Sequence, residues 1–307
     1  MIHDTIIIGA GPAGLTSAIY CARAGINVLV IERDAYGGKI SYTNRICNYP
    51  GFVSVSGEDL AKKMYDCIEA LDVPFEYDEV INSYLKNDIK SVVLSSGKEY
   101  QSLSVIIATG LKTRNLQCPG ESEFLGRGVS YCATCDGFFF KDKTSIVVGG
   151  GNSALEDAIY LSGICKNVII LVRKDFFRGD KILQDKIKNT ENIKILFNSE
   201  IKKIIGSNKV EKVILKSEEE ILTDAVFIAI GQVPSNESFS EVSSNELGYF
   251  ESNEECLSNI DGVYVAGDCR SKSLRQIVTA TSDGAISASN AIKFIKKIKH
   301  KFVPLKN

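Results

Sequence analysis

Histidine is nearly absent. The 307-residue chain holds two, His3 and His300, one near each end, so chemistry built on an imidazole base is disfavoured. Long apolar runs are missing as well, and none reaches the roughly 18 residues that a membrane span needs. Neither sign of charge is in excess: 36 basic residues stand against 38 acidic ones, for a formal net charge of −2. No global basic field would draw nucleic acid, so any basic contact has to be local. A strand pattern begins at residues 5–8, which leaves no space before it for a charged leader and an apolar signal core; a cytoplasmic protein is expected. There is no long low-complexity linker. The chain is 44% hydrophobic and 24% charged, enough for a full core and about two domains of ordinary size.

Cysteine is plentiful by comparison. Nine occur, at Cys21, Cys47, Cys67, Cys118, Cys132, Cys135, Cys165, Cys256 and Cys269. An odd number, scattered without a secreted framework, suits a reducing compartment. Apart from Cys132 and Cys135, most are expected to serve as small core hydrophobes.

Two stretches share one signature. Residues 5–8 are apolar and β-branched and run into Gly9-Ala10-Gly11-Pro12-Ala13-Gly14; a helical pattern follows to Ala24, ended by Gly25, and a second apolar strand closes on Glu32. Glycines at these positions allow a tight turn and close approach of a pyrophosphate, which rests on the helix N-terminus, while Glu32 can accept from a ribose with free hydroxyls. The alternative is a glycine-rich turn with no ligand. The pattern recurs at residues 145–148, Gly149-Gly150-Gly151-Asn152-Ser153-Ala154, a helix over about 155–161, and a strand at 168–172. In the second copy the position matching Glu32 is Val172, followed by Arg173 and Lys174, with Arg178 just beyond. A carboxylate there would repel a 2′-phosphate, and these cations would attract one; otherwise they form a solvated basic turn. Two such sites imply two cofactors that exchange electrons, FAD on the first and NADPH on the second.

Three further strands run into glycine: Val105-Ile106-Ile107-Ala108-Thr109-Gly110, residues 225–231, and residues 262–268 ending in Gly267-Asp268. Asp268 can bond a ribityl hydroxyl or cap the next helix. Their order predicts an α/β fold of two Rossmann-like nucleotide-binding domains, each a three-layer ββα arrangement, with the NADPH domain (113–241) inserted into a discontinuous FAD domain (1–112 and 242–307). Lys98 and the Glu218-Glu219-Glu220 run are expected on hairpin turns and solvated faces. Residues 293–301 are expected to form an amphipathic end helix.

Cys132-Ala133-Thr134-Cys135-Asp136-Gly137 lies just before the second glycine motif. Half a zinc site would need two further Cys or His ligands at compatible spacing; no second C-x-x-C exists and both histidines are remote, so no metal is expected. A dithiol/disulfide centre needs nothing more. Asp136, if partly desolvated, can carry a proton as disulfide bonds break and form; it could equally open the turn before Gly137. Beside two nucleotide sites the pair has a use, because a flavin converts a nicotinamide's hydride into thiol chemistry.

Together these residues, with Gly37-Gly38, Asn48-Tyr49-Pro50-Gly51 and Arg275-Gln276, resemble the low-molecular-weight thioredoxin reductases over nearly the whole chain. The Cys-Ala-Thr-Cys-Asp-Gly string between two glycine motifs is highly specific to that family. The resemblance implies FAD along Gly9, Ala10, Gly11, Pro12, Ala13, Gly14, Glu32, Arg33, Gly37, Gly38, Lys39, Asn48, Ala108, Thr109, Gly110, Gly267, Asp268, Arg275, Gln276 and Ile277. It implies NADPH on Gly149, Gly151, Asn152, Ser153, Ala154, Arg173, Lys174 and Arg178. Cys135 would face the flavin, Cys132 would attack the disulfide of thioredoxin, and Asp136 would be the general acid. The family works as a homodimer whose domains rotate during turnover. Two departures stand out: Lys39 replaces the usual neutral residue near the flavin, and Val172-Arg173-Lys174 replaces a His-Arg-Arg phosphate clamp, losing one donor and exchanging a bidentate Arg for Lys. A relative fed by ferredoxin or NADH, or serving a glutaredoxin-like acceptor, would share the cysteines. A flavin-binding sensor without turnover would reduce no disulfide.

Overall fold

A computed structural model describes residues 2–43 and 45–302, with the backbone alone for Thr113 and 300–302; the side chain of His300 thus lies outside the described residues. The chain forms two compact units, residues 1–112 with 233–307, and residues 113–232. The second crossing falls after Gln232, before the 241/242 boundary expected from the sequence. The reason is packing: Phe239, expected in the second domain, is buried in the core of the first unit beside Phe250 and Val263.

In the first unit, Ile2–Ile8 lies at the centre of a seven-stranded sheet. Parallel pairing joins it to Val28–Glu32 on one side and Glu99–Ile107 on the other, with Phe75–Tyr77 beyond Val28–Glu32. The nine-residue strand Glu99–Ile107 divides its free edge. Its first half pairs antiparallel with Lys90–Leu94, which pairs in turn with Val80–Tyr84, and its second half pairs parallel with Val263–Val265. Ile6, Ile7 and Ile8 are buried in succession, as a strand covered on both faces requires. Ile7 meets the helices Pro12–Arg23, Gly57–Glu69 and Ile277–Phe302 on one face; Ile6 and Ile8 meet Val92, Leu94 and Phe250 on the other.

The second unit repeats the plan. Its five strands run Ile193–Phe197, Asn167–Val172, Thr144–Val148, Ala225–Ile228, Val129–Ser130, all paired parallel. Helices Asn152–Ser162 and Lys181–Lys188 cover one face, and an antiparallel meander (Ile201–Gly206, Val210–Leu215, Glu220–Leu222) covers the other. Each unit is therefore helix, parallel sheet and antiparallel layer, the three-layer arrangement expected. Glu218, Glu219 and Glu220 are exposed, and Lys202 and Lys212 pair with the first and last of them.

The end helix is longer than its lysine-rich part predicts, covering Ile277–Phe302. Residues 277–292 carry small side chains rather than an apolar stripe. Their role is close approach: Ser17 donates to the Gly284 carbonyl at 3.1 Å and lies 3.2 Å from the Ser287 hydroxyl, and a Cβ on Gly284 would meet Thr16 Cβ at 2.9 Å. The free cysteines also split. Cys21, Cys165, Cys256 and Cys269 are core residues, but Cys47 and Cys67 are exposed.

Candidate functional site

The first glycine turn links Ile2–Ile8 to Pro12–Arg23. Gly9 has φ +102°, and a Cβ there would collide with the Ala108 carbonyl. Gly14 is held by the chain as well, against the Gly9 carbonyl; a Cβ on Gly11 would have nothing within 4 Å among the described residues. So two glycines satisfy the fold and the third leaves open space at a helix start that has no side-chain cap and carries Pro12 in its first turn, the backbone form a phosphate approaches. Ala10 N–H donates to Glu32 Oε2 at 2.6 Å and Asp34 N–H to Oε1 at 2.9 Å, which fixes the carboxylate at the strand end. The Gly37–Gly38 loop folds back on this turn: Gly37 N–H donates to the Ala10 carbonyl at 2.7 Å, and a Cβ on Gly38 would lie 3.5 Å from Gly11 Cα.

Other expected residues gather in the same unit. Asn48 Nδ2 donates to Gln276 Oε1 at 3.2 Å. Thr109 donates to Asn236 Oδ1 at 3.2 Å. Arg275 lies 4.2 Å over the Tyr249 ring and donates to the Asp268 carbonyl at 3.3 Å. Ile277 opens the end helix. Arg33 instead turns its guanidinium to Asp34 (3.0 Å) and Glu79 (3.2 Å). Asp268 Oδ1 is buried with no hydrogen-bond partner among the described residues. Burial pushes the Asp268 carboxyl up, against the pull of Lys39, Lys272 and Arg275. Lys39 is lowered by desolvation, opposed by Asp268 and reinforced by Arg275.

A set of residues unremarked in the sequence holds this turn. Asp283, 4% exposed, accepts from Gly267 N–H at 3.0 Å, from Arg270 at 2.9 and 3.0 Å, and from Lys272 Nζ at 2.7 Å. A signal existed: Asp283 is the only charged residue between 277 and 292, and an isolated acid in a small-residue helix calls for buried partners.

The second glycine turn repeats the geometry of the first. Gly149 has φ +148° and its Cβ would collide with the Ala229 carbonyl, while Gly151, at the uncapped start of Asn152–Ser162, faces open space. The 178–180 segment closes over the turn: Arg178 and Gly179 N–H donate to the Gly150 carbonyl (2.7 and 3.1 Å), and Asp180 N–H donates to Asn152 Oδ1 at 2.7 Å. Ser153 is exposed and Ala154 buried. Arg173, Lys174 and Arg178 are all exposed; Lys174 sits 5.1 Å over the Phe176 ring. On the same helix, burial pushes the Asp157 carboxyl up to about 7, and Glu156 adds to it. A raised carboxyl holds its proton in the folded state, so stability is full below the unfolded value of 3.8 and is lost as pH rises towards 7. At full strength that displacement corresponds to about 4 kcal/mol, and partial solvent access reduces it. Asp157→Asn is expected to gain about 2 kcal/mol over the parent at pH 8 and little at pH 4; urea unfolding at both pH values checks it, and equal gains would contradict a half-buried titrating acid.

Cys132 and Cys135 are joined as a disulfide, with Cα atoms 5.3 Å apart. Cys132 caps the one-turn helix Ala133–Asp136, its sulfur accepting from Cys135 N–H at 3.2 Å. The turn is seated on the helix Asn152–Ser162, since a Cβ on Gly137 would meet Leu161 Cδ2 at 2.8 Å and Tyr160 Cε1 at 3.3 Å. Phe138, next in the chain, is 70% exposed. The Asp136 carboxyl is raised by burial, and a 2.6 Å hydrogen bond from Ser130 opposes the rise. Ser130 had no signal in the sequence.

Residues 3–284 match the family model for pyridine nucleotide-disulphide oxidoreductases. The thioredoxin reductase of Bacillus subtilis (strain 168) is 40% identical, over 99% of this chain and 98% of its own. That of Listeria innocua serovar 6a is 42% identical, over 97% and 95%. Among solved structures, the thioredoxin reductase from Streptococcus pyogenes MGAS5005 is 39% identical, with a TM-score of 0.92 over 96% of this chain and 99% of its own.

Proposed function

The chain belongs to the pyridine nucleotide-disulphide oxidoreductases, and from that premise we propose that it reduces the disulfide of thioredoxin with electrons from NADPH, by way of FAD and the Cys132–Cys135 pair. Family and relatives together imply use of a flavin and a nicotinamide. The observation that carries the reading is the disulfide itself, set on the helix that the second glycine turn opens.

The first unit fits a flavin dinucleotide. Asp268 Oδ1 is a buried acceptor that a ligand hydroxyl would satisfy. Gly11 leaves space for a pyrophosphate, and Glu32 offers a fixed carboxylate to a ribose. In the second unit Gly151 leaves the matching space, with Asn152, Ser153 and Ala154 opening the helix, and Arg173, Lys174 and Arg178 supply cations for a 2′-phosphate. A bound flavin supplies the conversion of hydride chemistry into thiol chemistry. Cys132, the more distal sulfur in the family's pattern, attacks thioredoxin; Asp136 holds the proton. The resemblance supports a homodimer, and seven free cysteines suit the reducing cytoplasm. Among the described residues no helix is long and apolar enough to cross a membrane.

Anaerobic titration of the flavin-loaded protein with NADPH, NADH and reduced ferredoxin, followed by visible absorbance and then by addition of thioredoxin, tests the proposal. NADPH should bleach the flavin and oxidised thioredoxin, whose disulfide takes the electron pair, should restore it; bleaching by ferredoxin alone would reassign the donor. Arg173→Ala with Lys174→Ala should raise KM for NADPH about ten- to hundredfold, the scale of lost charge-assisted hydrogen bonds, and leave KM for NADH nearly unchanged. An equal rise for both would separate these cations from the phosphate.

A further inference from the structure

Ser130 ends the edge strand Val129–Ser130, where its backbone is registered against Phe227, and the residue is 4% exposed. Three polar atoms of the redox turn surround its hydroxyl. Asp136 Oδ2 lies at 2.6 Å and the Cys132 carbonyl at 3.3 Å, and Cys132 N–H donates to Ser130 Oγ at 3.1 Å. A serine hydroxyl has one proton to donate and two lone pairs to accept. The arrangement therefore has two complete states. With Asp136 ionised, Ser130 donates to Oδ2 and accepts from Cys132 N–H. With Asp136 protonated, the carboxyl donates to Oγ, Cys132 N–H still donates to Oγ, and the hydroxyl proton turns to the Cys132 carbonyl. No heavy atom has to move.

We propose that Ser130 is a positioning residue for proton transfer at the cysteine pair, rotating its hydroxyl between Asp136 and the Cys132 carbonyl as Asp136 gives up and regains its proton. This rests on the function proposed above, which supplies the electrons. Two electrons reaching the disulfide break the S–S bond and leave two thiolates. Asp136 then gives its proton to one of them, so that one thiol, one thiolate and one carboxylate result. The new carboxylate is left in a desolvated place, and the Ser130 hydroxyl is the donor that stabilises it.

Burial and Ser130 are the two influences on Asp136. The helix packed against the turn carries Glu156 and Asp157, with Tyr160 beside Gly137; none of the three contributes to the Asp136 shift. Removing the hydroxyl leaves burial unopposed, so Asp136 becomes a weaker acid.

The carboxyl of Asp136 can be titrated by 13C NMR in the oxidised protein labelled at aspartate, with Asp136→Asn assigning the signal, and the pH profile of thioredoxin reduction measured alongside. Ser130→Ala should raise the Asp136 midpoint by about one pH unit. It should move the alkaline limb of kcat up by the same amount and slow turnover several-fold below that limb. Ser130→Thr, which keeps the hydroxyl, should return both towards the parent. If Ser130→Ala does not fold, Ser130→Cys, with its weak S–H donor, makes the same comparison. An unmoved midpoint, or a moved midpoint with an unmoved limb, overturns the proposal. A parent protein that reduces no thioredoxin would refute the function instead, while the titration still decides whether Ser130 governs Asp136.

Discussion

Cys132→Ser and Cys135→Ser each lower thioredoxin reduction by about a thousandfold or more, the scale seen when a covalent nucleophile is removed. The reason is stoichiometric. A disulfide needs both sulfurs, and a single remaining thiol can neither take the electron pair as a broken S–S bond nor resolve a mixed disulfide with thioredoxin. The two variants should still bind flavin, because the glycine turn, Glu32 and Asp268 belong to the other unit. They should also stay folded. The bridge spans only three residues of separation, and a loop that short contributes no more than about 2 kcal/mol. Residual activity under NADPH, flavin content and circular dichroism separate these outcomes. Near-parental turnover in either variant would remove the cysteine pair from the reaction, and loss of flavin would make the defect one of folding.

Much of this was legible in the chain because the chemistry is local. Residues 5–14 and 145–154 show the strand, the glycine turn and the helix start within one stretch, and in the structure Gly9 and Gly149 lie against the Ala108 and Ala229 carbonyls of the chain itself. The contrast between Glu32 and Val172-Arg173-Lys174 is likewise readable at one register position. Long-range features were not. Asp283 meets Gly267 and Arg270 only because the end helix runs back along the turn; its isolation among small residues marks it as buried but does not name those partners. The start of that helix at Ile277 was missed because Ala280, Gly284, Ser287 and Ala288 serve helix-to-helix approach rather than an apolar stripe. The crossing falls after Gln232 rather than at 241/242 because Phe239 packs into the core of the first unit. Ser130 gave no signal because its partner, Asp136, is reached through a turn whose seat is a helix further along the chain.

The Asp283 cluster carries the second large effect. Two cations, Arg270 and Lys272, share one carboxylate, and their side chains are 7% and 8% exposed. Desolvation alone would raise the Asp283 carboxyl, but the bonds from Arg270 and Lys272 outweigh it and hold it below its ordinary value. A depressed carboxyl contributes stability that is present above the unfolded pKa and lost as pH falls through the folded one, so the cluster is at full strength at neutral pH. Asp283→Ala takes from two buried cations the carboxylate they are bonded to and leaves Gly267 N–H without its acceptor, a loss of about 3–5 kcal/mol. The melting temperature should fall by about 10 °C. Flavin should leak away on gel filtration, because Asp268, next to Gly267, loses its fixed orientation. Asp283→Asn keeps an acceptor for Gly267 and should show an intermediate loss. Replacing all three by well-packed apolar residues could recover stability, as buried ion clusters often allow, but would not restore flavin retention, since the Gly267 N–H would still lack its acceptor. A melting temperature and a flavin-to-protein absorbance ratio equal to the parent's in Asp283→Ala would mean that the turn is held by its own backbone and that the cluster is incidental to the site.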